Sequence, residues 1–201
     1  MDDLLLETAI NFKNMFNKKY DFILGRKGNQ INLTLIFRPV DFHHLAGLQY
    51  ISDMSELKRS RDMVFSSIYH DERFRRKIYE SSFYPQIKDR LSVLKNIEMI
   101  LDSDKMIFRY DLKANSMSNI KADYLISAHE PYNNNRAVYI FCDHIKESNT
   151  QIFSKSIFPK TKYDYTQFQC KYTILKITKT QIDTNEIIYS KVNPKYIEST
   201  T

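Results

Sequence analysis

The sequence predicts an α+β protein in which N-terminal helices pack on an antiparallel β-sheet meander. Three observations carry this reading. Apolar residues recur at intervals of three and four through much of the first hundred positions, as on one face of a helix. From about residue 105 the pattern changes to strand-like runs rich in β-branched and aromatic residues. The links between those runs are short and polar, and short links join antiparallel rather than parallel strands. The 201-residue chain is therefore read as a single domain over 1–201. Its helical part covers about 1–103, with a strand near 31–37, and its sheet part covers about 104–190.

Residues 4–20 read as one amphipathic helix, with Leu5, Ile10, Phe12 and Phe16 on its apolar side and the cations Lys18 and Lys19 at its C-terminal end. Phe22 to Leu24 is apolar, Gly25 to Asn29 reads as a turn, and Ile31 to Phe37 alternates as a strand, which makes a hairpin. Asp41 caps a short helix carrying His43, His44 and Leu48. Residues 56–101 are mostly helical. Pro85 suits a first helical turn, and Ile87, Leu91, Leu94, Ile97 and Leu101 form a stripe at spacings of three and four. Five strands come next, at Met106 to Tyr110, Ile120 to Ile126, Ala137 to Cys142, Ile152 to Phe158 and Phe168 to Ile177.

Composition limits the function classes. Hydrophobic residues make up 42% and charged residues 27%, enough to build a core. There are 14 Tyr and 13 Phe but no Trp; such rings favour strands, and exposed ones stack on unpaired bases. A formal charge of +6 suits a polyanionic partner. With only 3 Gly the chain cannot build a glycine-rich phosphate loop, which excludes P-loop and dinucleotide-binding readings. Cys142 and Cys170 both lie in strand-like runs and are expected to be buried, reduced thiols. Met1-Asp2-Asp3 is no basic leader, and no apolar run approaches the roughly 18 residues of a membrane span. The expectation is a cytoplasmic protein with no membrane partner.

Histidine and the basic residues are the candidates for chemistry. His43 and His44 are neighbours, so on a helix they point about 100° apart and only one can face a cleft. Imidazole titrates near neutrality and suits proton transfer at a ribose or leaving oxygen. No zinc-type histidine pattern surrounds them, so neither a metal site nor a cofactor is expected. Lys58-Arg59-Ser60-Arg61 and Arg73-Phe74-Arg75-Arg76-Lys77 read as solvated faces. Lys88 and Arg90 instead flank the apolar stripe of a helix, where an arginine can clamp phosphate. Period-2 geometry puts Lys121, Asp123 and Leu125 on one strand face, and Ser154, Ser156 and Phe158 on one face of another.

A series of phrases then occurs in one order. It runs Asp41-Phe42-His43-His44-Leu45-Ala46-Gly47-Leu48, Ile87-Lys88-Asp89-Arg90-Leu91, Ile120-Lys121-Ala122-Asp123-Tyr124-Leu125, Val138-Tyr139-Ile140-Phe141, Ser156-Ile157-Phe158 and Tyr172-Thr173-Ile174-Leu175-Lys176. Over about residues 30–178 this resembles the fourth type of phage-associated Barnase/EndoU/colicin/RelE-like nucleases. The resemblance implies a helix-plus-antiparallel-sheet RNase fold and a metal-independent, toxin-like endoribonuclease encoded by a phage or mobile element. Its reaction is attack of the ribose 2′-hydroxyl on the adjacent phosphate, leaving a 2′,3′-cyclic phosphate. Carried over by position, His44 is general base or acid, Lys121 and Arg90 stabilise the phosphate, and Ser156 orients it. His43, Lys88, Asp123 and Tyr124 are placed as RNA-binding. Ala46 departs from the pattern, where small hydroxylated residues are common. The partners implied are RNA and an immunity or antitoxin protein. The alternative is a non-catalytic RNA-binding or interaction module of a phage defence or counter-defence system, with Tyr163 and Tyr165 exposed beside Lys160 and Lys162.

Overall fold

The computed structural model describes residues 3–114 and 118–196, with backbone alone for 133–135. Its strands are β1 (Lys18–Arg26), β2 (Asn29–Ile36), β3 (Lys105–Arg109), β4 (Tyr124–Glu130), β5 (Asn133–His144), β6 (Gln151–Pro159), β7 (Cys170–Gln181) and β8 (Ile187–Val192). Hydrogen bonding runs β1-β2-β6-β5-β4-β3-β7 and returns from β7 to β1. This is a closed seven-stranded barrel, and it corrects the expected arrangement of helices packed on an antiparallel meander. Closure comes from β1, which precedes most of the helices yet pairs with β7 from Lys18↔Gln181 to Gly25↔Thr173. The barrel is also mixed, because β2 and β6 run parallel over Thr34↔Gln151, Leu35↔Ile152 and Ile36↔Phe153. On its other edge β7 carries β3 at Cys170–Tyr172 and then β8 at Lys176–Thr180. A ring of this kind leaves few unpaired strand edges.

The hairpin is present, with longer arms than the sequence predicts. Lys27 (φ 49°) and Gly28 (φ 80°) make a two-residue turn, a geometry in which both central residues take positive φ. Gly25 and Arg26 therefore belong to β1, as do Lys18 and Lys19, which were expected to end a helix. The helix itself, α1 (Leu4–Lys13), stops sooner. Asp3 caps it, its Oδ1 accepting from the Leu6 N–H at 3.0 Å. Its buried stripe is Leu5, Ala9 and Phe12, while Ile10 is 40% exposed.

Five more helices are α2 (Pro39–Leu45), α3 (Arg61–His70), α4 (Glu72–Glu80), α5 (Pro85–Leu94) and α6 (Ile97–Asp102). Asp41 is the third residue of α2 and does not cap it. Its carboxylate instead turns back to accept from Arg38 N–H (3.0 Å) and from the guanidinium Nε (3.1 Å) and Nη2 (2.8 Å). Leu48 falls beyond α2, in a 3-10 turn over Leu48–Tyr50.

Two features of β6 shape the barrel wall on this side. First, only its opening residues Gln151, Ile152 and Phe153 pair with β2. From Ser154 to Pro159 it has β5 on one side and, among the described residues, no strand on the other; α2 and α5 pack against β6. The barrel thus has a seam filled by helices. Second, β6 opposes β5 with Phe141↔Ser156 and then Cys142↔Ser154, so Lys155 is an extra, bulged residue. One face of the strands joins the helices in the main core, with Tyr20, Phe22, Ile126, Ile140 and Cys142. The other face of β3 to β6 carries a smaller aromatic core of Phe108, Tyr110, Leu125, Tyr139 and Phe141, with Phe158 and Tyr165 against it.

Candidate active site

At the seam Arg90 meets Ser156, beside the end of the helix that carries His44. Helix α2 ends at Leu45 with Ala46 as its C-cap, and Gly47 reverses the chain with φ +78° while its N–H donates to the His44 carbonyl at 3.2 Å. A Cβ on Gly47 would stand 2.8 Å from Arg90 Cδ and 3.2 Å from Ile87 Cγ2, so both the backbone angle and the close approach require glycine there. Arg90 occupies the space that this leaves. Its Nη1 donates to Ser156 Oγ at 3.1 Å and to the Ile157 carbonyl at 3.1 Å, tying α5 to β6. The guanidinium also lies over the Tyr50 and Phe158 rings, each 5.1 Å away at the ring centre.

The histidines divide as their positions on a helix require. His43 is buried, and its Nε2 donates to the Leu57 carbonyl at 3.0 Å, leaving Nδ1 without a partner. His44 is half-buried, its ring set edge-on to His43 with centroids 5.7 Å apart. Burial depresses the His44 pKa below its ordinary value. Nearby positive charge on Arg61, His43 and Lys155 adds to that, against a hydrogen bond with Gln49 that raises it. This shift favours the neutral imidazole, the form that can accept a proton.

The bulged Lys155 extends the polar cluster. Its Nζ donates to the Lys121 carbonyl and to Asp143 Oδ2, both at 2.7 Å. Asp143 Oδ1 in turn accepts from the Asp123 N–H at 3.1 Å. Asp123 holds His144 twice with one carboxylate oxygen, accepting from its backbone N–H at 3.0 Å and from Nδ1 at 2.9 Å. Burial raises the Asp123 carboxyl, but the hydrogen bonds from His144 outweigh it and leave the pKa below the usual value. Beside His144, its ring 5.3 Å from that of Tyr124, a cleft of about 250 Å³ also takes in Arg109 and Tyr172.

Of the residues singled out from sequence, Arg90 and Ser156 are in direct contact, and His44 is linked to them through Gly47. Lys121 contributes its carbonyl to the cluster, while its side chain is exposed. The strand expected from Ile120 begins only at Tyr124, so Lys121 and Asp123 share no strand face. Asp123 and Tyr124 lie with His144 rather than with Arg90. Lys88 is exposed and sits two positions, about 200°, from Arg90 around α5. The expected Ser154, Ser156 and Phe158 face is broken by the bulge: Ser154 is 2% exposed opposite Cys142, while Ser156 meets Arg90. Cys142 is buried and burial pushes its thiol up to about 12, but Cys170, expected buried, is exposed. Tyr165, expected exposed, packs against the smaller aromatic core.

Sequence reasoning missed Lys155, Gln49, Tyr50 and His144. The bulge that aims Lys155 has no signature in an alternation pattern, and Asp123–His144 joins the residue before β4 to the last residue of β5, 21 positions on. Among the described residues no group of three or more His, Cys, Asp or Glu could hold a metal ion. No helix of the described residues is long and apolar enough to cross a membrane.

A family model described as PBECR4, phage-Barnase-EndoU-ColicinE5/D-RelE like nuclease4, matches residues 4–193. No curated protein and no solved structure matches the chain.

Proposed function

The chain belongs to the PBECR4 family of phage-Barnase-EndoU-ColicinE5/D-RelE like nucleases, and from that premise we propose that it is a metal-independent endoribonuclease working at the barrel seam. The observation that carries this reading is the Arg90 clamp. A guanidinium spends Nη1 on Ser156 and Ile157 and keeps Nε and Nη2 without a hydrogen bond to the described residues, beside the turn that follows a neutral histidine. A fixed fork of N–H donors matches phosphate oxygens.

In the proposed reaction the neutral His44 takes the proton from a ribose 2′-hydroxyl as that oxygen attacks the adjacent phosphorus. The P–O5′ bond breaks, the 5′-oxygen takes a proton from water, a 2′,3′-cyclic phosphate remains, and His44 returns its proton to solvent. Arg90 and Lys155, with the exposed Lys121 beside them, offset the charge that builds on the pentavalent phosphorane. Ser156 fixes the guanidinium through its 3.1 Å hydrogen bond and so orients the phosphate. Incubating the protein with single-stranded RNA in excess EDTA tests this: fragments ending in 2′,3′-cyclic phosphate are expected, and intact RNA, or 5′-phosphate products, would overturn it.

A second reading, a non-catalytic RNA-binding module, draws on one observation. Phe168 is 87% exposed and Tyr163 42% exposed on the segment between β6 and β7, where rings can stack on bases. Salt-sensitive RNA binding with no cleavage would favour it.

A further inference from the structure

Two basic runs that look alike in sequence have different fates in the fold. In α4, Arg75 pairs with Asp3, Arg76 with Glu72 at 3.0 Å and Lys77 with Glu56 at 3.0 Å, and of its cations only Arg73 is exposed without an ion pair among the described residues. The run Lys58-Arg59-Ser60-Arg61 finds no such partners. Among the described residues Lys58, Arg59 and Arg61 form no ion pair or side-chain hydrogen bond, and all three are exposed. They do not project from a flat surface. They line a cleft of about 370 Å³ with His43, Gln49 and Leu57.

That cleft adjoins the seam through two of its walls. Gln49 hydrogen-bonds His44, and Arg61 contributes to the low pKa of both His43 and His44. On the inner wall His43 is only 9% exposed, and its Nδ1 is an acceptor with no partner. Leu57 and Met54 add apolar surface. Three unpaired cations around an apolar floor, next to an imidazole, fit a strand whose phosphates meet charge while a base lies on hydrocarbon.

We propose that this cleft is a binding subsite for single-stranded RNA, in which Lys58, Arg59 and Arg61 hold the backbone phosphates flanking the position presented to His44. Its place beside the scissile phosphate rests on the nuclease reading above; the binding itself does not. An RNA duplex hides its bases and meets the protein as a broad surface, whereas a single strand can lay one base in a cleft of this size.

The test is fluorescence anisotropy of a labelled single-stranded RNA oligonucleotide titrated with the full chain, carrying His44→Ala to prevent turnover. The triple variant Lys58→Ala, Arg59→Ala, Arg61→Ala is expected to bind roughly tenfold or more weakly at low salt. It should also flatten the plot of log Kd against log salt by about 2, as three contacts at roughly 0.7 each imply. The control Arg73→Ala, Arg76→Ala, Lys77→Ala removes the same formal charge and is expected to change affinity by less than about threefold. Equal weakening by both triples, or none by the first, overturns the inference. Because the three side chains are exposed, the variant should keep the parent's circular dichroism spectrum. Arg61→Ala alone, giving about one third of the slope change, guards against a folding artefact. RNA bound through the cleft by a wild-type protein that never cleaves it would sink the nuclease reading and support this one; cleavage with cleft-independent binding would do the reverse.

Discussion

Gly47 and Arg90 are fitted to each other: a single methyl group on Gly47 would stand 2.8 Å from Arg90 Cδ. The glycine of the His44-Leu45-Ala46-Gly47 phrase is thus the floor on which the proposed phosphate clamp rests. A helix end, a left-handed turn and a distant arginine form one unit.

Gly47→Ala should therefore cost more than a turn glycine normally does. A left-handed alanine costs about 1–2 kcal/mol, and the clash with Arg90 adds about 1–3 kcal/mol. Gly28 makes the comparison clean, since it has φ +80° and nothing within 4 Å of where a Cβ would lie. Urea unfolding should show Gly47→Ala as the more damaging of the two. Equal losses would mean that the contact with Arg90 does not matter.

Arg90→Lys keeps the charge but cannot reproduce the fork or the stacking on Tyr50 and Phe158. It leaves Ser156 Oγ and the Ile157 carbonyl to find other partners, so a loss of about 1–3 kcal/mol in stability is expected. Cleavage should fall nearly as far as in Arg90→Ala. Full activity in the lysine variant would reduce Arg90 to a simple positive charge.

His43 and His44 both have pKa values held below 6.5, by burial first and by Arg61 and, for His44, His43 second. The unfolded chain binds protons at these positions more readily than the folded one. Their contribution to stability is therefore present above pH 6.5 and is lost as pH falls below it. By the same sign, the acid limb of kcat/KM should lie below pH 6.5 and move upward in Arg61→Ala. A limb unmoved by Arg61→Ala in the pH–rate profile would dissociate His44 from that limb.

Lys155 and Lys121 compete for the same role, and the geometry favours Lys155, whose ammonium is fixed between the Lys121 carbonyl and Asp143. Lys155→Met should lower kcat/KM by about tenfold to a hundredfold, a loss of about 1.4–2.7 kcal/mol of transition-state stabilisation. Lys121→Ala should cost less than Lys155→Met. The opposite order in single-turnover kinetics would restore Lys121 as the main cation.

What the sequence made legible was local. The hairpin, the helix carrying both histidines and five strands of the second half announce themselves through spacing and turn residues, whereas β8 (Ile187–Val192) does not. Barrel closure does not, because it depends on Lys18–Gly25 meeting Thr173–Gln181 across most of the chain. The parallel β2–β6 contact also joins residues far apart in sequence, and because it stops at Phe153 it leaves the seam to α2 and α5. Arg90 and Ser156, which the fold brings into contact, are singled out in sequence by their place in an ordered series of phrases. Lys155 was not, since one bulged residue shifts the alternation that placed its neighbours. The two basic runs look alike in sequence, but the fold brings carboxylates to Arg75, Arg76 and Lys77 and sets Lys58, Arg59 and Arg61 around a cleft.

The most direct measurement of the central claim is single-turnover cleavage of an end-labelled RNA in EDTA, comparing wild type, His44→Ala and a substrate with one 2′-deoxyribose at the cleaved position. Catalysis by His44 at the seam predicts cyclic-phosphate ends, a loss of about 10²–10⁴-fold in His44→Ala, and no cleavage at the deoxy position. Equal rates for wild type and His44→Ala, or cleavage of the deoxy-substituted linkage, would contradict it.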